Sequence, residues 1–406
     1  MSVLPLEGVR VLDFGWAMAA PQATRLLADF GAEVLKIESK ARPDLARTAF
    51  GPHPHGREAF GLDSSGYFNH FNRNKKSITL NMIRPEASEV FADLLRVSDV
   101  VIENFAVGVV ERLGLSYEVI SAEKPDIIMV SSSGTGHSGP HKDYVAYGSL
   151  LQHYTGWNSI SGYPHSEPVP GGLWADPWVG MELAMVTVAA LNGRALTGQG
   201  QYVDFSMAEA LTASIPEAIL DYQMNNRVRE PMGNRDEWYA PHGVYHCVGE
   251  DRWVAIAVTN DEEWTSLCRL IQRLDLAADP RFVNACGRRK FHDQLDVAIT
   301  EWTVRHQDHE AMRLLQEAGV PSGPSLDICR VFHEPQLRDA GYFTRLQTSD
   351  GELRDLPGIP WRFDSEQKPH LTEAPVLGQH NAYVYQELLG MSEPEINRLA
   401  EEQIIY

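Results

Sequence analysis

The sequence predicts an α/β protein, with a doubly wound parallel sheet in its first half and a separate, smaller α+β domain after it. Three observations predict this. Residues 9–38 read as a β-α-β unit. Short apolar strands then alternate with helical stretches as far as Q-Y-V-D-F-S-M at 201–207. Near Pro231 the character changes to a hairpin followed by helices.

The first run, V-R-V-L-D-F at 9–14, suits a buried strand. Residues 19–30 follow as a helix, with Pro21 in the first turn, where a missing N–H is tolerated. Gly31 ends it, and E-V-L-K-I-E at 33–38 is the second strand. The loop between, G-W-A-M-A-A-P, lacks G-x-G-x-x-G, so a dinucleotide pyrophosphate is not supported there. A helix N-terminus still favours anions, which leaves the end of the first strand a candidate ligand edge. Residues 41–68 are rich in Pro, Gly and His and read as a long functional loop. N-R-N-K-K-S-I-T-L-N-M turns from basic to strand-like, and a helix over 86–97 follows Pro85. Residues 100–102 form a short strand ending in E-N-F, and a short helix carries Arg112. After Pro125 come the strand D-I-I-M-V-S and the flexible loop S-S-G-T-G-H-S-G-P. Helical patterns cover 147–155, 181–196 and 208–226, the last as a linker.

In the smaller domain, G-V-Y-H-C and R-W-V-A-I-A-V around V-G-E-D make a hairpin. Helices are predicted over 261–274 and 288–316, and the domain closes near G-V-P-S-G-P. The tail from Leu326 carries a strand signal in G-I-P-W-R-F and a last helix over 393–402.

The chain has 406 residues, 43% hydrophobic and 22% charged, enough for a globular core in two or three domains. A formal net charge of −20 disfavours nucleic acid and anionic membranes as partners, while leaving room for a local basic patch. Cys247, Cys268, Cys286 and Cys329 lie far apart without a C-x-x-C pair and read as reduced thiols. M-S-V-L-P-L-E-G offers no basic n-region or apolar h-region. No run of about 18 uninterrupted apolar residues occurs. A cytoplasmic protein is expected.

The most informative stretch is G-G-L-W-A-D-P-W-V-G-M at 171–181. Two glycines precede Asp176, which stands between Trp174 and Trp178, and Pro177 begins a long apolar run. The pattern delivers one carboxylate to the start of a helix, with indoles to shield it from water. An aspartate before a proline there is also a routine cap. The residues alone leave capping and chemistry both open.

Several stretches together resemble the class III CoA-transferases, the group of formyl-CoA transferase, carnitine CoA-transferase and α-methylacyl-CoA racemase. They are L-E-G-V-R-V-L-D-F, L-L-A-D-F-G-A-E-V-L-K-I-E, N-K-K-S-I-T-L-N-M, D-V-V-I-E-N-F-A-V-G-V-V-E-R-L-G-L, T-G-Q-G-Q-Y-V-D-F-S-M and the late A-P-V-L-G-Q-H. They occur in family order from residue 6 to about residue 380. The resemblance implies a Rossmann-like large domain plus a smaller α+β domain, in an interlocked dimer. On this chain that means a large domain at 1–207, a linker helix at 208–230, the small domain at 231–325, and a C-terminal return to the large domain at 326–406.

The resemblance also implies roles. Asp176 aligns with the catalytic aspartate, a carboxylate nucleophile. Ala17, Met18, Leu80, Asn104 and Phe105 line the CoA groove, and Arg112 falls on a phosphate-binding arginine. An arginine usual after I-E is Ser39 here, and a lysine usual after N-M is Ile83, so Lys40 and Arg84 stand as substitutes. Trp16, Tyr147 and Trp174 are the substrate-side residues. Tyr147 occupies the place of the racemase histidine, and His153 lies too far along its helix to replace it; transferase is favoured, with α-methylacyl-CoA racemization by proton transfer as the alternative. Gly148 replaces the glutamate of formyl-CoA transferase, which argues against oxalate as acceptor. The tryptophans at 16, 157, 174 and 178 suggest an apolar or aromatic acid, with succinyl-CoA as donor. Coenzyme A thioester enters as substrate; no resident cofactor and no metal are expected. The partner protomer is expected to be a second copy, with a related subunit as the other case.

Overall fold

The computed structural model describes residues 4–48, 63, 65–348, 351–362 and 371–406. Most of the loop expected at 41–68 lies outside the described residues. The chain divides into two compact units, one comprising the described residues of Met1–Asn158, Pro170–Arg227 and Tyr342–Tyr406, the other Ser159–Val169 and Val228–Gly341.

The first unit is built on six parallel strands: β1 (Arg10–Asp13), β2 (Glu33–Glu38), β3 (Lys76–Thr79), β4 (Val100–Glu103), β5 (Ile128–Ser133) and β6 (Gln201–Ser206). Their order is β3-β2-β1-β4-β5-β6. Alternate side chains leave on opposite faces, so each strand feeds two cores. Val11, Val34, Ile102 and Val130 pack against the helices Ala19–Asp29 and Ala175–Thr197. Leu12, Leu35, Ile78 and Met129 pack with Val90, Leu94, Val384 and Tyr385 on the other side. The C-terminal segment is stitched to β3: the Tyr385 hydroxyl donates to the Thr79 carbonyl at 2.7 Å, and Asn81 N–H to the Ile404 carbonyl at 2.8 Å.

The helix expected at 181–196 begins six residues earlier, at Ala175, because Pro177 fits a first turn. The linker expected as one helix over 208–226 is two, Met207–Ala213 and Pro216–Asn225. Pro216 has no N–H to continue the ladder and pushes Ile215 out of helical geometry (φ −126°, ψ 47°).

The second unit holds an antiparallel sheet of β7 (His242–His246), β8 (Trp253–Ala257) and β9 (Ser322–Ser325). The hairpin is β7-β8, and the S-G-P segment, near which the domain is expected to end, forms the third strand. The helix expected over 288–316 is interrupted at Phe291 and again over 304–307, leaving Ala285–Lys290, His292–Thr303 and Asp308–Glu317. Thr303 ends the middle piece by donating its hydroxyl to the His246 carbonyl at 2.7 Å.

In the C-terminal segment the strands are β10 (Phe343–Gln347) and β11 (Leu353–Pro357), an antiparallel pair. G-I-P-W-R-F is not a strand where it is described. Trp361 stacks instead on Phe30, 4.7 Å between ring centroids and 9° between planes, so the indole is spent on packing.

Candidate functional site

Strand order reverses between β1 and β4: β2 and β3 lie to one side, β5 and β6 to the other. The loops leaving two such strands diverge and open a crevice at the sheet's carboxyl edge. A cavity of about 610 Å³ lies there, entirely within the first unit. Of the residues nominated from sequence, Trp16, Ala17, Met18, Leu80, Asn104, Phe105, Arg112, Tyr147 and Asp176 all line it. Lys40, Arg84 and Trp174 are not among its lining residues; Lys40 and Arg84 are exposed side chains outside it.

Buried charges set the loop after β1. Ala17 adopts a left-handed φ of 61°, uncommon for a residue with a Cβ. Its N–H donates to Asp44 Oδ1 at 2.9 Å, and Lys36 Nζ donates both to Asp44 Oδ2 at 2.9 Å and to the Gly15 carbonyl at 2.7 Å. Asp13 accepts from the Gly15 N–H at 2.8 Å and from Lys75 Nζ at 2.9 Å. Burial alone would lower the Lys36 pKa, but the carboxylates of Asp44, Asp13 and Glu38 raise it above the ordinary lysine range. The sequence held a signal for this network: a lysine inside the apolar strand E-V-L-K-I-E must find a carboxylate.

Across the crevice, Glu103 at the end of β4 accepts from the Phe105 N–H at 2.6 Å. Burial pushes the Glu103 carboxyl up to about 7.

Asp176 is the second residue of the helix Ala175–Thr197. Trp174, not Asp176, stands at the N-cap, and no side chain caps the helix there. Asp176 is therefore not the N-cap of this helix. The helix is placed by a close crossing at Gly180, where a Cβ would lie 2.6 Å from Gln22 Cβ and 2.7 Å from the Ala19 carbonyl oxygen. Burial pushes the Asp176 carboxyl up to about 6, opposed by a hydrogen bond from the Gly148 backbone N–H. The carboxylate is thus partly dehydrated and faces a cavity.

The expected indole shield is corrected. Trp174 turns to Trp157, edge to face at 4.7 Å, and Trp178 is 38% exposed. Of the four tryptophans behind the aromatic-acceptor expectation, only Trp16 lines the cavity. Among the described residues no histidine lines it either, and His153 is exposed.

The structure adds residues that sequence reasoning missed. Arg42 lines the cavity and lies over the Trp16 ring, 4.9 Å from its centroid. Its N–H closes a turn on the Ser39 carbonyl at 3.0 Å, so it stands near the place of the arginine lacking at Ser39. Lys142 and Tyr144 also line the cavity.

The family model of CoA-transferase family III matches residues 6–381. The chain is 31% identical over 403 residues to the succinyl-CoA–D-citramalate CoA-transferase of Chloroflexus aurantiacus, covering 99% of this chain and 98% of that protein. It is 30% identical over 408 residues to the beta subunit of succinyl-CoA–L-malate CoA-transferase from the same organism, covering 100% and 99%. A CAIB/BAIF family protein from Brucella suis has the same fold, with a TM-score of 0.84 at 29% identity over 95% of this chain and 100% of that one.

Proposed function

The chain belongs to CoA-transferase family III and is an acyl-CoA:carboxylate CoA-transferase, and from that premise we propose that Asp176 is its nucleophile. The observation that carries this is a carboxylate partly withdrawn from water, opening onto the cavity at the switch point. An Asp176 oxygen attacks the thioester carbonyl, the C–S bond breaks, and CoA thiolate leaves a mixed anhydride. The thiolate then attacks the aspartyl carbonyl, releasing the donor acid and leaving an aspartyl-CoA thioester. The acceptor carboxylate attacks that thioester to give a second anhydride. Thiolate attack on the acceptor's acyl carbon forms the new acyl-CoA and frees Asp176. No external redox agent or net proton is needed. Dehydration strengthens the nucleophile by removing its hydration shell.

Trp16, Ala17, Met18, Leu80, Asn104 and Phe105 form the pantetheine wall, and Arg112, Arg42 and Lys142 are the cations available for phosphates. Succinyl-CoA is the donor and a small hydroxydicarboxylate the acceptor, following the relatives' named substrates. An aromatic acceptor loses its basis because three of the four indoles lie elsewhere. Racemization is not favoured: Tyr147 lines the cavity where a histidine would be needed as the second base.

The chain acts as an interlocked dimer of two copies. Met181, Met185 and Leu196 on the helix Ala175–Thr197 are exposed, and Pro216–Asn225 buries none of its residues while exposing Leu220, Tyr222 and Met224. Apolar faces of this extent call for a covering partner.

Incubation with succinyl-CoA and a panel of acids, read by mass of the CoA products, tests the activity. Hydroxylamine trapping during turnover marks Asp176 if the mechanism holds. Transfer without a mark at that position rejects it. Sedimentation at twice the chain mass tests the dimer.

A further inference from the structure

Gly148 opens the helix Gly148–Tyr154 directly beneath Asp176. Its backbone is not left-handed, so nothing in its φ calls for glycine, and alanine would suit the helix better. What calls for glycine is space. A Cβ at Gly148 would overlap Asp176 Oδ1, with Asp176 Cγ 3.0 Å and Ala175 Cβ 3.3 Å away. Ala175 is fully buried and the helix behind Asp176 is fixed by the Gly180 crossing, so of the obstructing groups it is the carboxylate, which faces the cavity, that must move. The same Gly148 supplies the N–H that bonds the carboxylate.

The geometry points to Gly148 as a positioning residue of the transfer reaction. Its bare Cα seats one Asp176 oxygen against the Gly148 N–H and leaves the other to meet the thioester carbonyl. This rests on Asp176 being the nucleophile. A methyl group at 148 turns the carboxylate off its donor and out of line, leaving the CoA groove at Trp16, Asn104 and Arg112 intact. A displacement of about 1 Å at a reacting atom is enough to cost on the order of 100-fold in rate.

The test uses the full chain with succinyl-CoA and L-malate, comparing wild type, G148A, D176A and G148A/D176A. G148A lowers kcat by about 10- to 100-fold while KM for succinyl-CoA stays within about threefold. Its acid limb moves to higher pH, because the carboxylate has lost a donor that favoured its charged form. G148A also lowers Tm, but the same change made in D176A does not, since the oxygen it would strike is gone. If G148A alone fails to fold, the double variant must fold.

Turnover of G148A within about twofold of wild type overturns the assignment. An equal loss of Tm, or of folding, in both backgrounds also overturns it, by making Gly148 an ordinary packing position. A wild-type chain that turns over without hydroxylamine ever marking Asp176 rejects the nucleophile instead, and the melting comparison still decides the seat.

Discussion

Trp16 and Asn104, 88 residues apart in sequence, exchange two hydrogen bonds across the crevice: Trp16 N–H donates to Asn104 Oδ1 at 2.7 Å, and Asn104 Nδ2 donates to the Trp16 carbonyl at 2.9 Å. The pair ties the loop after β1 to the loop after β4, the two walls of the cavity. N104A removes both bonds and leaves two backbone groups to find new partners, a loss of about 1–3 kcal/mol. The expected outcome is a lower midpoint in urea and a KM for acyl-CoA raised about tenfold, with kcat less affected. Steady-state kinetics beside a denaturation curve check it.

Asp44 answers a buried lysine and a strained peptide together. D44A strands Lys36 in the interior and releases the Ala17 N–H, a loss of about 3–5 kcal/mol. D44N keeps an oxygen for Ala17 and is expected to cost less. Ordering the two variants by thermal melting tests whether the charge or the loop contact dominates.

Asp176 gives a pH signature of known sign. Burial raises its carboxyl to about 6, from an ordinary aspartate value of about 4. The folded chain therefore holds this proton more tightly than the unfolded chain. The stabilization is present below about pH 4, is lost as pH rises from about 4 to 6, and stays lost above. D176N removes the buried charge, so at pH 8 it is expected to be the more stable protein by on the order of 2–3 kcal/mol, with little difference near pH 4. Urea unfolding at the two pH values measures this. The proposed nucleophile must be ionized to act, so activity of the wild type is expected to fall as pH drops through about 6.

Arg42 lines the cavity while Lys40 and Arg84 lie outside it. R42A is expected to raise KM for acyl-CoA by about tenfold, and K40A or R84A to change it by less than about twofold. A rise in K40A matching that in R42A would return the cation's role to the residue nominated from sequence.

Trp174 serves packing rather than the cavity wall. Its neighbour Trp157 is itself anchored, donating its indole N–H to Ser214 Oγ at 2.9 Å. W174A is expected to cost about 2–4 kcal/mol and to leave KM for acyl-CoA within about threefold. Calorimetry and kinetics on the same preparation separate the two effects.

The sequence by itself determined the alternation of strands and helices, the family, and the carboxylate at 176. Strand patterns such as V-R-V-L-D-F are local, and the family stretches keep their order along the chain. It also placed Trp16, Ala17, Met18, Asn104, Phe105 and Arg112 on loops and a short helix that end up around one cavity. The tertiary structure alone decided what surrounds each of them. Trp174 and Asp176 are two residues apart, yet one packs on Trp157 and the other lines the cavity, because neighbouring positions on a helix point in different directions. Arg42 lines the cavity where Lys40 does not, through a turn closed on Ser39, a contact that spacing does not reveal. Gly148 shows the limit most clearly: a glycine in the chain records only that a side chain is absent. The need for that absence comes from an oxygen 28 positions later, brought against it when the two helices pack.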